Sequence, residues 1–348
     1  MKLKKVETIS EAERICKLKM RKGAYEWLAS GAEDNFTTNK NIKDLTSIKL
    51  IPRILQKGRN KINLSKNILK TNLNFPIILS PMGHQSQFHK LGEVEMGKGI
   101  SKAKSIASFS TQGRYDLYDI RKNNINLPLV WTIFLFGNKK WIKNEILRAE
   151  KNKCVSIVLC LDASVRSHRY MDRETKYDAR KYGKRTLNLP PDPSKDLSYD
   201  WNIVKWIKKQ TKLPILIKGV LSEEDAKLCL KYKVDGIWIS NHGGRMFNSG
   251  ISSVEAIIKI KKIVKSKLFL IVDGGVRRGS DIIKYLCLGA DLVGIGRPAI
   301  FGLFLNGKNG VKNIFDILIN EFYSSCINGG FVDNKDFNIK RIKIPKFF

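Results

Sequence analysis

The 348-residue sequence predicts an α/β fold, a (β/α)8 TIM barrel with an N-terminal helical extension. Eight short runs rich in β-branched and apolar residues recur from about residue 74 onward, with helix-like spacers between them. The runs lack polar alternation, which marks strands buried on both faces, as in a parallel sheet. Eight such βα units close a barrel more economically than they build an open doubly wound sheet.

In order, the runs are "FPIILSP" (75–81), "SIASFST" (105–111), "LVWTIFLF" (129–136), "SIVLCLD" (156–162), "PILIKG" (214–219), "DGIWISN" (235–241), "LFLIVDGG" (268–275) and "DLVGIG" (291–296). Residues 74–348 are therefore read as the barrel. Residues 1–73 hold one or two helices through "YEWLASGAEDN", then an irregular basic stretch, "IKLIPRILQKGRNKINLSKN". They are read as an extension packed on the barrel. The segment at about 163–200 is too long and polar for an ordinary connection, and long loops after barrel strands cover active sites.

With 43% hydrophobic residues the chain can bury a full core. Its formal charge of +32 is spread over nearly every helix and loop. That favours a solvated basic exterior over a nucleic-acid face, and leaves peripheral contact with an anionic membrane open. Cys16, Cys154, Cys160, Cys229, Cys287 and Cys326 are scattered, with no CxxC pair and no metal-ligand spacing. The first residues carry Glu7, Glu11 and Glu13 and no apolar signal-like core. A cytoplasmic protein is expected, with a place at the inner membrane surface left open.

Barrel chemistry sits at the C-terminal ends of the strands. Those ends offer Ser80, Ser110, Thr132, Asp162, Lys218, His242 with Arg245, Asp273 with Arg277, and Gly296 with Arg297. Cations dominate, so the mouth is expected to hold a phosphate and a second, carboxylate-like ligand. "DGGVRRGSD" and "GIGRP" fit a phosphate cradle on the last two strands, against the alternative of ordinary turns with solvated arginines. His242, in "SNHGGR", is either a packed core histidine or a general base, with Arg245 placed to hold a carboxylate. Lys218 is either a salt-bridge partner for a neighbouring strand's Asp or a stabiliser of negative charge on a cofactor.

"SNHGGR", "DGGVRRGSD", "GADLVGIGRP", "PILIKGVLSEEDA", "YEWLASGAEDN" and "IKLIPRIL" together resemble the FMN-dependent 2-hydroxy acid oxidase and dehydrogenase family, over about residues 20–330. The resemblance implies FMN as cofactor and His242 as the base that starts oxidation of an L-2-hydroxy acid, lactate-like or bulkier. It implies that Asp162 orients that base, that Arg245 and Arg169 clamp the substrate carboxylate, and that Lys218 stabilises the reduced flavin. Ser110 and Ser240 would help seat FMN, with Met82, Gly83, Thr132, Cys160 and Gly275 also along it. Asp273 would meet the ribityl chain, and Arg277, Gly296 and Arg297 the phosphate. The acceptor would be a quinone, another carrier or oxygen, and the assembly a homotetramer.

The sequence departs from the family's pattern at the substrate. Trp27 and Phe134 stand where the family has tyrosines, and Gln112 where tryptophan is frequent. Thr132 replaces a glutamine, Cys160 a threonine, and Gly83 stands where the family's oxidases often have alanine and several dehydrogenases glycine, which leans toward an acceptor other than oxygen. Each lost hydroxyl removes a hydrogen bond to a charged group, about 1.5–3 kcal/mol or roughly ten- to a hundredfold in binding or rate. The pocket is then either re-tuned for a bulkier, more apolar acid or part of a flavin- or polyanion-binding protein with reduced or lost turnover.

Overall fold

The computed structural model describes residues 5–58, 62, 64–135, 137–179, 198–346 and 348. Eight strands form a closed parallel barrel. They are β1 (Ile77–Leu79), β2 (Ile106–Ser110), β3 (Leu129–Phe134), β4 (Ser156–Cys160), β5 (Ile215–Val220), β6 (Gly236–Ile239), β7 (Phe269–Val272) and β8 (Leu292–Ile295). Closure comes from β8 on β1, Val293 against Ile77 through Ile295 against Leu79. All eight predicted runs are strands. All but β5, which runs one residue past its predicted end to Val220, stop short of the predicted ends, and Ser80, Asp162, His242 and Asp273 fall just beyond the ladder.

Runs that read as uniformly apolar have a period of two in space. Ile78, Ile106, Val130, Val158, Leu216, Trp238, Ile271 and Leu292, one from each strand, pack together inside the barrel. Their neighbours Ile77, Phe109, Trp131, Ile157, Ile217, Ile239, Val272 and Ile295 belong to the larger core under the helices. Both sets are almost wholly buried, which removes any polar requirement from either face. Side chains alternate along a strand, so two residues past each interior apolar position the inward side is Ser80, Ser108, Thr132, Cys160, Lys218, Ser240, Asp273 and Gly294. The polar site is the next layer of the same packing.

Three helices precede the barrel, α1 (Ile9–Lys19), α2 (Lys22–Ala29) and α3 (Phe36–Ser47), where the sequence pointed to one or two. The third, "FTTNKNIKDLTS", is polar and rich in residues of modest helix propensity, so its helicity comes from what it packs on. The basic stretch also carries order: Lys49–Leu50 pairs antiparallel with Ile342–Lys343, and Lys66–Ile68 forms a hairpin with Thr71–Leu73. Ile68 and Leu73 of that hairpin join the barrel's interior cluster.

Helices α4 (Gly92–Lys102), α5 (Leu117–Asn123) and α6 (Lys139–Lys151) follow β1, β2 and β3. After β4 come the short α7 (Tyr170–Glu174) and α8 (Asn202–Lys208). Residues 180–197, within the expected active-site loop, lie outside the described residues. Then α9 (Glu223–Lys231), α10 (Ser253–Val264), α11 (Gly279–Cys287) and α12 (Arg297–Gly329) complete the ring. No helix among the described residues is long and apolar enough to cross a membrane.

The N-terminal helices grip the turn after β6. The hydroxyl of Thr38 donates to the Gly243 carbonyl at 3.0 Å, the Ala32 amide donates to the Gly244 carbonyl at 2.8 Å, and Asn41 pairs with Asn241 at 2.8 Å. Three consecutive residues of this turn, His242 (φ 57°), Gly243 (φ 66°) and Gly244 (φ 75°), are left-handed. At Gly244 a Cβ would also lie 2.4 Å from the Thr38 backbone nitrogen. Gly244→Ala should therefore cost at least about 1–3 kcal/mol, read as a lowered midpoint in denaturant unfolding. An unchanged midpoint would contradict the grip.

Candidate active site

A cavity of about 690 Å³ opens at the C-terminal ends of the barrel strands. Its wall brings together His242, Lys218, Arg245, Arg169, Trp27, Phe134, Gln112, Met82, Gly83, Ser110, Asp273, Gly275, Arg277, Gly296 and Arg297. Asp162, Thr132, Cys160 and Ser240 are not on that wall. Thr132 is fully buried with its hydroxyl 2.7 Å from that of Ser108. Ser240 donates to Asp273 at 2.6 Å and accepts the His242 amide at 3.1 Å. Neither lines the cavity, and Ser240 braces two residues that do, Asp273 and His242.

Asp162 ties the reactive groups together. Its Oδ1 lies 3.0 Å from His242 Nδ1 and accepts from Cys160 Sγ at 3.1 Å. Its Oδ2 accepts from Lys218 Nζ at 3.2 Å. Burial works against the Asp162 charge, but Lys218 and His242 outweigh it and hold the carboxyl far below its usual range. Burial likewise works against the Lys218 charge, and Asp162 more than restores it, so the ammonium persists in a position only 3% exposed. For His242 burial wins: its pKa falls below the usual histidine value although Asp162 pulls it upward. With Nδ1 engaged by the carboxylate, Nε2 is the nitrogen left for chemistry.

A cluster of arginines surrounds Trp27. The Arg245 guanidinium lies 4.8 Å from the centre of the indole and that of Arg169 5.7 Å. Arg245 Nη1 donates to the carbonyls of Trp27, Leu28 and Ser30 at 2.7, 3.2 and 2.8 Å. Arg297 donates to Leu28 at 3.0 Å, Ser30 at 3.2 Å and Gly243 at 3.1 Å. Those of Trp27, Leu28 and Ser30 are the carbonyls at the C-terminal end of α2, the negative end of its dipole. Carbonyls replace only part of a counter-ion. Burial, then Arg169 and Arg297, push the Arg245 pKa well down, and burial with Arg277 brings Arg297 to about 10. Arg169 pairs with Asp172 at 2.6 Å, while its buried Nε has no hydrogen-bond partner among the described residues. So many cations at one mouth call for bound anions.

The far end of the cavity fits a phosphate and its linker. Gly275 is left-handed at φ 81°, and a Cβ there would meet the Asn41 carbonyl oxygen at 2.5 Å. Gly296 precedes α12, whose N-terminus carries Arg297 and Pro298. A Cβ at Gly296 would find its nearest neighbour, Met82 Sδ, only at 3.4 Å, so the backbone faces open space. Beside it Asp273 is fixed by Ser80 (3.0 Å), Trp238 (3.0 Å) and Ser240 (2.6 Å). The volume falls within the roughly 300–1,000 Å³ of ordinary ligand sites. A buried ammonium, a phosphate-ready glycine-arginine end and an open glycine floor suit a flavin mononucleotide.

The family model for FMN-dependent dehydrogenases matches residues 16–343. The chain belongs to that family. It is an FMN-dependent oxidoreductase, and FMN is its cofactor. Among its relatives are a 2-hydroxyacid oxidase of Dictyostelium discoideum, 33% identical with 95% of this chain and 88% of that protein covered, and an L-lactate oxidase of Lentilactobacillus hilgardii, 31% identical with 91% and 88% covered. A solved structure of a mutant flavocytochrome b2 with pyruvate bound is also similar, at TM-score 0.90 and 27% identity, covering 97% of this chain and 86% of that one.

Three residues at the site escaped the sequence. His84 lines the cavity in a left-handed conformation (φ 54°), its ring 5.9 Å from that of Trp27. It lies five residues past the end of β1, further than a strand-end rule reaches. Met246 lines the cavity next to Arg245. Asp172, the partner of Arg169, sits three residues after it, and that spacing was a usable signal. Since Asp162 is the counter-charge of a buried Lys218, Asp162→Asn should destabilise the protein by about 3–5 kcal/mol in denaturant unfolding. A loss below about 1 kcal/mol, no more than an exposed pair is worth, would mean that Lys218 does not depend on this carboxylate.

Proposed function

We propose that this chain oxidises an L-2-hydroxy acid with an apolar side chain to the 2-oxo acid. The observation that carries the reading is His242, held by Asp162 at 3.0 Å, on the wall of a cavity that also holds Arg245 and Arg169. The 2-hydroxyacid oxidase and L-lactate oxidase relatives, and the pyruvate in the flavocytochrome b2 structure, support the same substrate class. Bound FMN supplies the acceptor for the two electrons. Arg245 and Arg169 hold the substrate carboxylate. Neutral His242 takes a proton at Nε2, and Asp162 stabilises the imidazolium that forms. Lys218, kept charged by Asp162, offers positive charge to the cofactor, and Arg277 and Arg297 hold its phosphate.

Trp27 and Phe134 set the preference for size. Trp27 serves both guanidinium groups as a flat support, and Phe134 packs with Cys160, Ala163 and Met246. Neither brings a hydroxyl to the carboxylate, and both enlarge the apolar wall. Gly83 has a packing reason of its own: a Cβ there would lie 2.7 Å from Gln112 Cβ. The glycine is therefore required by Gln112 and argues for no particular electron acceptor.

Anaerobic mixing of the yellow holoenzyme with L-lactate and with longer L-2-hydroxy acids tests the reading. The flavin should bleach, fastest with the bulkier acids, and His242→Ala should keep the colour while slowing bleaching about 10²–10⁴-fold. Unimpaired bleaching in that variant would remove His242 as base. The rate should also depend on pH in one direction. It falls as pH drops through the lowered His242 pKa and levels off above it; removing the upward pull of Asp162 in Asp162→Asn should move this acid limb to still lower pH. Restoring a phenol in Phe134→Tyr should raise kcat/KM for the smallest acids about tenfold or more. No gain would show that the hydroxyl cannot reach the carboxylate.

A further inference from the structure

We propose that Cys160, Asp162 and His242 form a binding site for one thiophilic divalent cation of the zinc class, reached from a second cavity behind the substrate cavity. Cys160 Sγ lies 3.1 Å from Asp162 Oδ1 and 4.0 Å from His242 Nδ1, and the carboxylate oxygen is 3.0 Å from that nitrogen. Zinc bonds of about 2.3 Å to sulfur and about 2.0–2.2 Å to nitrogen and oxygen imply ligand separations of roughly 3.4–3.6 Å in a tetrahedron. The three atoms already stand within about half an ångström of those separations. One thiolate, one imidazole and one carboxylate suit zinc and exclude magnesium or calcium, which prefer oxygen alone. Lys218 holds the other carboxylate oxygen, so Oδ1 is left for an ion.

The second cavity, about 340 Å³, gives such an ion a route. Cys160 and Asp162 line it, and Asp200 and Asp225 stand on its wall, with Lys218 as the one cation among its described lining residues. In a chain of net charge +32 the described lining residues make an acidic inlet. Binding releases the Cys160 thiol proton, since Asp162 is already ionised. With the metal on Nδ1, the single proton of a neutral imidazole resides on Nε2. His242 can then accept nothing from a substrate, a consequence that rests on its proposed role as base.

The test titrates the holoenzyme, freed of metal by chelator and dialysis, with Co²⁺ while recording the spectrum to the red of the flavin. Expected are d–d bands of a low-coordinate cobalt thiolate saturating at one ion per chain, lost in Cys160→Ala and in the similarly sized Cys160→Thr, should the alanine variant not fold. No bands in the parent, or bands that persist in either variant, overturn the site. In parallel, Zn²⁺ should slow anaerobic flavin reduction about a hundredfold at saturation, reversed by chelator. Cobalt bands without inhibition would keep the metal site and instead remove His242 as base.

Discussion

One carboxylate, that of Asp162, is shared between an imidazole and an ammonium brought by neighbouring strands, with His242 Nδ1 at 3.0 Å and Lys218 Nζ at 3.2 Å. Neither partner could hold its state without it. A buried lysine tends to lose its proton, and a buried neutral histidine is free to choose either tautomer. The shared carboxylate keeps the ammonium charged and leaves the imidazole neutral with Nε2 available. Strand order makes this arrangement possible: β4, β5 and β6 are adjacent in the barrel, so 160–162, 218 and 242 converge although they are far apart in the chain.

The N-terminal helices complete the site by supplying electrons where side chains do not. Carbonyls of Trp27, Leu28 and Ser30 satisfy one edge each of Arg245 and Arg297 and leave the rest of both guanidinium groups for ligands. A carboxylate in their place would neutralise the arginines and weaken their hold on an anion. The α2 terminus therefore orients the charges without cancelling them. The same helix presents Trp27 as the surface on which Arg245 and Arg169 lie, which couples pocket shape to carboxylate binding.

The barrel was legible because its strands carry their signal locally. "SIVLCLD" and "LFLIVDGG" are unmistakably buried, and each carries near its end an aspartate of the site, Asp162 or Asp273. His242, Arg245 and the glycine-arginine turns were legible for the same reason: they sit next to a strong strand. Helix α3 was not, because its polar sequence becomes helical only against the β6 turn and α10. His84 was missed because the chain reaches back to the cavity by a left-handed turn that no periodicity announces. The proximity of Cys160 to His242 was invisible in sequence spacing, since two different strands bring it about.

The most direct test of the shared carboxylate is the tautomeric state of His242 in the FMN-bound protein, by ¹⁵N NMR of histidine-labelled enzyme. His242→Asn identifies its resonances among the four histidines. A neutral ring at neutral pH, protonated at Nδ1 and bare at Nε2, is the expected result. A proton on Nε2, or an imidazolium at that pH, would contradict the account.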